Sequence, residues 1–111
     1  NQINENEINN ILNDVYDNIN YLEDNKADMK TLYQYKQDSI DKLELLASEI
    51  SYMDYNYRKQ LRIDEVLDVL FLYKSYILLS IDNYSLNEHS YEKLKIKTRN
   101  DIMQRVDDLS I

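Results

Sequence analysis

The chain has 111 residues and a formal net charge of −8, since 21 acidic residues outnumber 13 basic ones, and it contains no glycine, proline or cysteine. Tight β-turns commonly use glycine and proline, so their absence argues against a fold of many short strands. Without cysteine there is no disulfide, thiolate nucleophile or zinc–thiolate site. The negative charge argues against direct binding to nucleic acid or to an anionic membrane. No apolar run reaches the roughly 18 residues that a membrane span needs.

Codon usage and the first residue bear on the source of the chain. Asn, Ile, Lys and Tyr are abundant and have A/T-rich codons, which indicates an AT-rich genome such as that of a low-GC microbe or a virus. Asn1 in place of an initiator Met indicates a processed mature protein or a piece excised from a longer one. We therefore expect a soluble chain, either intracellular or secreted after processing.

The first predicted helix covers about residues 4–24. Asn4 is its expected N-cap, with Glu7 three residues later. Its apolar residues follow spacings of 4, 3, 4 and 3, which is typical of a helix packed along a seam: Ile8, Leu12, Val15, Ile19 and Leu22. The helix carries six acidic residues and no Lys or Arg. Its outer face is therefore predicted to be acidic, notably at Asp14, Asp17, Glu23 and Asp24.

The second predicted helix covers about residues 27–57, after a polar turn at residues 23–26. It presents one broad apolar face, formed by Met29, Leu32, Tyr33, Ile40, Leu43, Leu46, Ala47, Ile50 and Met53. The apolar pattern shifts phase near residues 56–62, although no helix breaker occurs there. The sequence therefore leaves open whether this helix continues into the next one.

The third and fourth predicted helices cover about residues 63–82 and 86–109. The third is apolar on nearly every side, as expected of a helix surrounded by neighbours. Leucine predominates there over β-branched residues, which favours helix over strand. A turn at residues 82–84, followed by Ser85-x-x-Glu88, predicts a capping box at the start of the fourth helix. This helix is expected to point Tyr91, Leu94, Ile102, Val106 and Leu109 inward, and to carry a basic patch at Lys93, Lys95, Lys97 and Arg99.

These elements predict an all-α fold in a single domain, residues 1–111. Few connections and long amphipathic helices favour an antiparallel bundle of three or four helices with coiled-coil-like packing. No internal repeat or low-complexity linker divides the chain.

No pattern in the chain supports catalysis or cofactor binding. Phosphate-binding loops and nucleophile elbows require glycine, which is absent. His89 is the only histidine, and its immediate neighbours on a helix would not face it. The carboxylate pairs Asp14/Asp17 and Glu65/Asp68 are interpreted as solvated acidic faces, because calcium takes about six to eight oxygen ligands. We predict a protein that is not an enzyme and has no catalytic residue, cofactor or metal site.

Tyrosine is the remaining unusual feature, with eleven residues in the chain. Tyr52, Tyr55 and Tyr57 cluster at the predicted end of the second helix. Tyrosine is enriched at binding hot spots, because it buries a large area at little entropic cost and keeps a polar tip. Genome bias and packing at the edge of the core are the alternative explanation. We predict that these three residues form a partner-binding surface.

By elimination, the sequence favours a non-enzymatic helical protein–protein interaction module. It would serve as an accessory, effector or assembly protein that binds another protein or a second copy of itself. One alternative is an acidic inhibitor that mimics nucleic acid and blocks a nucleic-acid-processing or defence enzyme with Asp14, Asp17, Glu23 and Asp24. The 13 basic residues weaken that alternative. Another alternative is a small helical partner of a secreted effector.

Overall fold

The computed structural model describes residues 3–24, 27–86 and 89–110. Helix accounts for 89% of these residues, and none of them forms a strand. Four long helices and one short helix follow in chain order: α1 Glu5–Asp24, α2 Met29–Ile50, α3 Tyr55–Gln60, α4 Ile63–Leu86 and α5 His89–Leu109. The prediction of an all-α helical bundle is confirmed.

Helix α4 lies at the centre of the bundle and contacts the other four helices. Side-chain pairs between the outer helices fix their directions. Asp14 of α1 pairs with Lys42 of α2, and Asn18 of α1 with Asp38 of α2, so these two helices run antiparallel. The same reversed order relates α4 to α5. The long helices therefore alternate in direction, as the sequence predicts for short connections.

The apolar seam of α1 packs into the core as predicted. Four of its five residues are buried and the fifth, Leu22, is half-buried and packs against the core. Asn4 caps the helix, because its Oδ1 accepts a hydrogen bond from the Glu7 N–H at 3.0 Å. The seam is thus covered within this chain and is not free to bind a second molecule.

Helix α2 is shorter than predicted, and the expectation of one helix over residues 27–57 is wrong. It begins at Met29, capped by Asp28, whose Oδ1 accepts from the Thr31 N–H at 2.8 Å. It ends at Ile50, where Ser51 donates through Oγ to the Ser48 carbonyl at 2.8 Å. The next backbone bonds, from residues 52 and 53, reach only three residues back. These side-chain and short-range bonds satisfy the last carbonyls and end the helix without glycine or proline.

The junction between α3 and α4 contains the one left-handed residue among those described, Arg62, with φ 55°. A residue with a Cβ pays a steric penalty in this region, which glycine avoids. Arg62 holds the position through its side chain: its guanidinium pairs with Glu65 at 2.5 Å and with Asp108 Oδ2 at 2.8 Å. Its backbone carbonyl accepts the first bonds of α4 from Glu65 and Val66. These contacts join the start of α4 to the end of α5.

A glycine at position 62 is expected to be better tolerated than an alanine. Both Arg62→Gly and Arg62→Ala lose the two ion pairs, but only glycine removes the left-handed penalty. The melting temperature of the glycine variant should therefore exceed that of the alanine variant. Thermal unfolding followed by circular dichroism measures the difference, and an alanine variant of equal or greater stability would show that the backbone at 62 is not strained.

The predicted boundary between the last two helices is also wrong. Helix α4 continues through residues 82–84 to Leu86, and α5 begins at His89. Ser85 therefore lies in the last turn of α4 and not at the start of α5, while Glu88, the other half of the proposed capping box, lies outside the described residues. Asn83, placed in the predicted turn, instead donates through Nδ2 to Glu92 of α5 at 3.0 Å. Nothing at residues 82–84 breaks a helix, so α4 runs on.

Five apolar side chains expected to point inward lie at the surface: Tyr33, Ala47, Phe71, Leu78 and Leu94. Tyr33 of α2 is 51% exposed and Leu94 of α5 is 46% exposed. On α4, which the sequence predicts to be surrounded, Phe71 is 56% exposed. The helix is covered on three sides by α1, α2 and α5, and its remaining side faces outward.

Candidate contact surfaces

The corner between α2 and α3 carries two of the three tyrosines proposed for partner binding. Tyr52 is 80% exposed and Tyr55 is 66% exposed. Tyr52 lies in the turn that follows α2, and Tyr55 is the first residue of α3. We call these two residues the tyrosine corner, a name that does not refer to the β-sandwich motif.

Neighbouring residues hold the tyrosine corner in place. Met53, which lies between the two tyrosines in the sequence, packs against the core. Asp54 caps α3 with its backbone, since its carbonyl accepts from the Arg58 N–H at 2.9 Å. The Lys59 ammonium lies 5.1 Å from the centre of the Tyr55 ring, within the range of a cation–π contact. The corner is thus two exposed rings on an anchored backbone, a form that loses little entropy on binding.

Tyr57 has a different place from the other two tyrosines. It is half-buried and packs against the core. Its hydroxyl donates to the Ile3 carbonyl at 2.9 Å and so fastens the segment before α1 to α3. The sequence grouped three tyrosines, whereas the structure presents two at the surface and uses the third as an internal anchor.

The acidic side chains of α1 proposed for nucleic-acid mimicry are partly neutralised within the fold. Asp14 lies 3.5 Å from the Lys42 ammonium, and Glu23 Oε1 lies 2.7 Å from Arg99 Nε. Asp17 and Asp24 are exposed and have no ion-pair partner among the described residues. Two of the four acidic residues proposed for this face therefore already contact a basic side chain of the same chain.

The basic patch of α5 is divided in the same way. Lys95 lies 3.8 Å from Glu92 and 5.8 Å from the centre of the Tyr76 ring, and Arg99 pairs with Glu23. Lys93 and Lys97 are exposed. Half of the patch therefore serves contacts between α1, α4 and α5.

A partly buried polar network centred on Tyr73 joins α1, α2 and α4, and sequence reasoning missed it. Tyr73 is fully buried; its hydroxyl accepts from Asn18 Nδ2 at 2.9 Å and donates to Asp38 Oδ2 at 3.2 Å. The other oxygen of Asp38 accepts from Lys42 at 2.5 Å. The sequence contains two signs of this network. Asn18 is a polar residue beside the apolar seam of α1, and Asp38 lies four residues before Lys42, a spacing at which side chains on a helix meet. A satisfied network of this kind favours one helix register over its alternatives.

Burial changes the ionisation of two tyrosines of α4. Burial, and secondarily the negative charge of Asp38, holds the pKa of Tyr73 well above its ordinary value of 10.0. Burial, reinforced by Glu23 and Glu92, raises the pKa of Tyr76 to about 12. In an unfolded chain both hydroxyls ionise near pH 10, so the folded state holds its protons longer than the unfolded state.

The contribution of these two hydroxyls to the stability of the fold is therefore expected to be full below pH 10 and to fall as the pH rises above it. The tyrosinate absorbance of the native protein should reach its final value only when the helical circular dichroism is lost. In a Tyr76→Phe variant, stability should fall less steeply between pH 10 and 12. Complete ionisation of all tyrosines near pH 10 with helicity intact would contradict the burial of both hydroxyls.

No model of a known protein family, no characterised protein and no solved structure matches this chain. Among the described residues, no helix has both the length and the apolar character needed to cross a membrane. In the same part of the chain, no group of three or more His, Cys, Asp or Glu side chains is arranged to hold a metal ion.

Proposed function

We propose that this chain is a non-enzymatic helical protein–protein interaction module that contacts its partner through the tyrosine corner. The partner is another protein or a second copy of the chain. In the cell the module would act as an accessory, effector or assembly protein.

The observation that carries this proposal is the exposure of two tyrosine rings on an anchored backbone. An interface would bury rings that are 80% and 66% exposed with favourable free energy. Met53 and Tyr57 tie the same segment to the core, so the rings are presented by a fixed support. Exposed aromatic side chains on rigid elements are typical centres of binding hot spots.

The rival proposal, an acidic mimic of nucleic acid, has weaker support. A mimic needs a face of unopposed negative charge, because it binds a basic channel mainly by electrostatics. Asp14 and Glu23 instead pair with Lys42 and Arg99. The third proposal, a small helical partner of a secreted effector, would use the same tyrosine corner and differs only in the partner's identity.

Affinity capture with matched variants tests the proposal. The bait is the wild-type chain, and captured proteins are identified by mass spectrometry from lysates of the source organism and of any host. We expect a partner that the double variant Tyr52→Ala/Tyr55→Ala no longer captures. The control variant Tyr16→Ala/Tyr33→Ala, which removes tyrosines that are 41% and 51% exposed elsewhere, should capture it normally.

Two outcomes would contradict the proposal. A partner lost only when Asp14, Asp17, Glu23 and Asp24 are replaced by their amides would support the acidic mimic. Capture unaffected by any of the variants would place the contact on another surface. Sedimentation of the wild-type chain alone measures its oligomeric state. A dimer would identify the partner as a second copy, and a monomer would identify it as another protein.

A further inference from the structure

The side of α4 that no other helix covers is formed by six residues spaced 4, 3, 4, 3 and 4 apart. They are Asp64, Asp68, Phe71, Ser75, Leu78 and Asp82, and all six are exposed. We call this set the outer face of α4. It continues the heptad spacing of a packed helix, yet within the part of the chain that the structure describes no helix packs over its two apolar residues. At its middle, Phe71 is 56% exposed and Leu78 is 37% exposed.

We propose that the outer face of α4 binds a cationic amphipathic helix of another protein. This is a second surface, separate from the tyrosine corner.

The shape of the outer face suits a helix. Phe71 and Leu78 are two helical turns apart, about 10 Å along the axis. Ser75 lies between them, and its small side chain leaves room for an apolar side chain of a partner to enter, as a knob enters a hole. Half-buried Leu72 and Leu79 continue the apolar surface on one side. A partner helix with apolar residues at positions i, i+3 or i+4 and i+7 would cover it.

The charge of the outer face identifies the chemistry of the partner. Asp64 and Asp68 stand before the apolar pair and Asp82 after it, while Lys74, at the edge of the face, is the one basic residue of α4. Asp64 pairs with Arg58. Asp68 lies 3.9 Å from Arg105, which pairs more closely with Asp101, at 2.8 Å. Asp82 has no ion-pair partner among the described residues. Lys or Arg residues before and after the partner's apolar residues, on the same face of its helix, would meet these acids.

The same acids argue against the other occupants. In a parallel pair of α4 helices each acid would face its own copy, and in an antiparallel pair Asp68 would face Asp82 of the second copy. Like charges directly opposite each other destabilise such packing, and a chain of net charge −8 repels its own copy further. An anionic membrane is disfavoured for the same reason. A cationic helix is the occupant that both the apolar pair and its acidic flanks attract.

The test uses a synthetic helical peptide, labelled for fluorescence anisotropy, with leucines in the middle of one face and lysines before and after them on that face. Two control peptides share its length: one has glutamates in place of the lysines, and the other has the same composition with the leucines scattered. We expect the wild-type chain to bind the first peptide and neither control. The variant Phe71→Ser/Leu78→Ser should lose at least tenfold in affinity, and Asp68→Asn/Asp82→Asn should weaken binding to a smaller extent.

Matched variants keep the test specific to the outer face. Leu94→Ser/Ile96→Ser removes two apolar residues of α5 with comparable exposure, 46% and 54%, and should bind as the wild type does. Tyr52→Ala/Tyr55→Ala should also bind normally, which separates this proposal from that for the tyrosine corner. Circular dichroism confirms that each variant is folded.

Several results would overturn the proposal. Equal binding of the scattered-leucine peptide, or full binding by Phe71→Ser/Leu78→Ser, would show that charge alone drives the contact. Sedimentation that finds a wild-type dimer which Phe71→Ser/Leu78→Ser dissociates would assign the face to a second copy. Binding to anionic phospholipid vesicles that is lost in the same variant would assign it to a membrane.

Discussion

Replacing Leu70 by alanine is expected to lower the free energy of unfolding by about 2–5 kcal/mol, the range found when a buried aliphatic side chain is truncated. Leu70 is completely buried in the central helix α4, where its removal leaves a cavity that the surrounding helices cannot fill. Chemical denaturation followed by circular dichroism measures the change as a shift of the midpoint at constant slope.

Leu78→Ala is the matched control for this prediction. It makes the same chemical change in the same helix, but Leu78 lies on the outer face and is 37% exposed. The loss of stability there should stay below about 1 kcal/mol, as for most partly exposed sites. If the two variants lost equal stability, α4 would not have one buried and one open side.

Replacing Tyr52 and Tyr55 together by alanine is expected to weaken partner binding roughly 100-fold or more while leaving the fold intact. Hot-spot residues cost about 2 kcal/mol or more each when truncated, and every 1.4 kcal/mol is tenfold in affinity. Both rings project from the corner and neither belongs to the apolar core, so thermal stability should hardly change. Isothermal titration calorimetry with the captured partner gives the affinity.

Tyr57→Phe provides the opposite control. It removes the hydroxyl that donates to the Ile3 carbonyl, and the loss of one such hydrogen bond costs about 0.5–1.5 kcal/mol of stability. Its ring remains half-buried against the core, so partner affinity should be unchanged. A Tyr57→Phe variant that loses affinity as strongly as the double variant would make the original group of three tyrosines the binding surface.

The fold class could be predicted from sequence because it rests on strong local signals. The seam of α1, with its spacings of 4 and 3, and the Asn4 cap lie where the pattern placed them. The absence of glycine and proline correctly indicated long helices. The same absence made the helix ends hard to locate, because no breaker marks them. The end of α2 depends on the bonds around Ser51, and the start of α4 depends on a left-handed Arg62 where glycine is the usual residue.

The candidate surfaces were less predictable, since exposure depends on which neighbours a helix finds. Tyr52, Tyr55 and Tyr57 look alike in sequence, and only the position of Ile3 next to α3 separates the anchor from the exposed pair. Phe71 and Leu78 belong to a helix that is apolar on nearly every side, although Asp64, Asp68, Ser75 and Asp82 share their stripe and could have marked that side as exposed. The network of Tyr73, Asn18 and Asp38 joins residues far apart in the chain, which single-helix periodicity cannot reveal.

The dependence of partner affinity on salt tests the central claim most directly. The tyrosine corner binds by burial of ring surface, which ions screen only weakly, so the dissociation constant should rise less than about threefold between roughly 50 and 200 mM salt. Over the same range, the Tyr52→Ala/Tyr55→Ala variant should bind weakly at every concentration. A dissociation constant that rises by a factor of ten or more, together with normal low-salt binding by that variant, would contradict the account and would favour the acidic mimic.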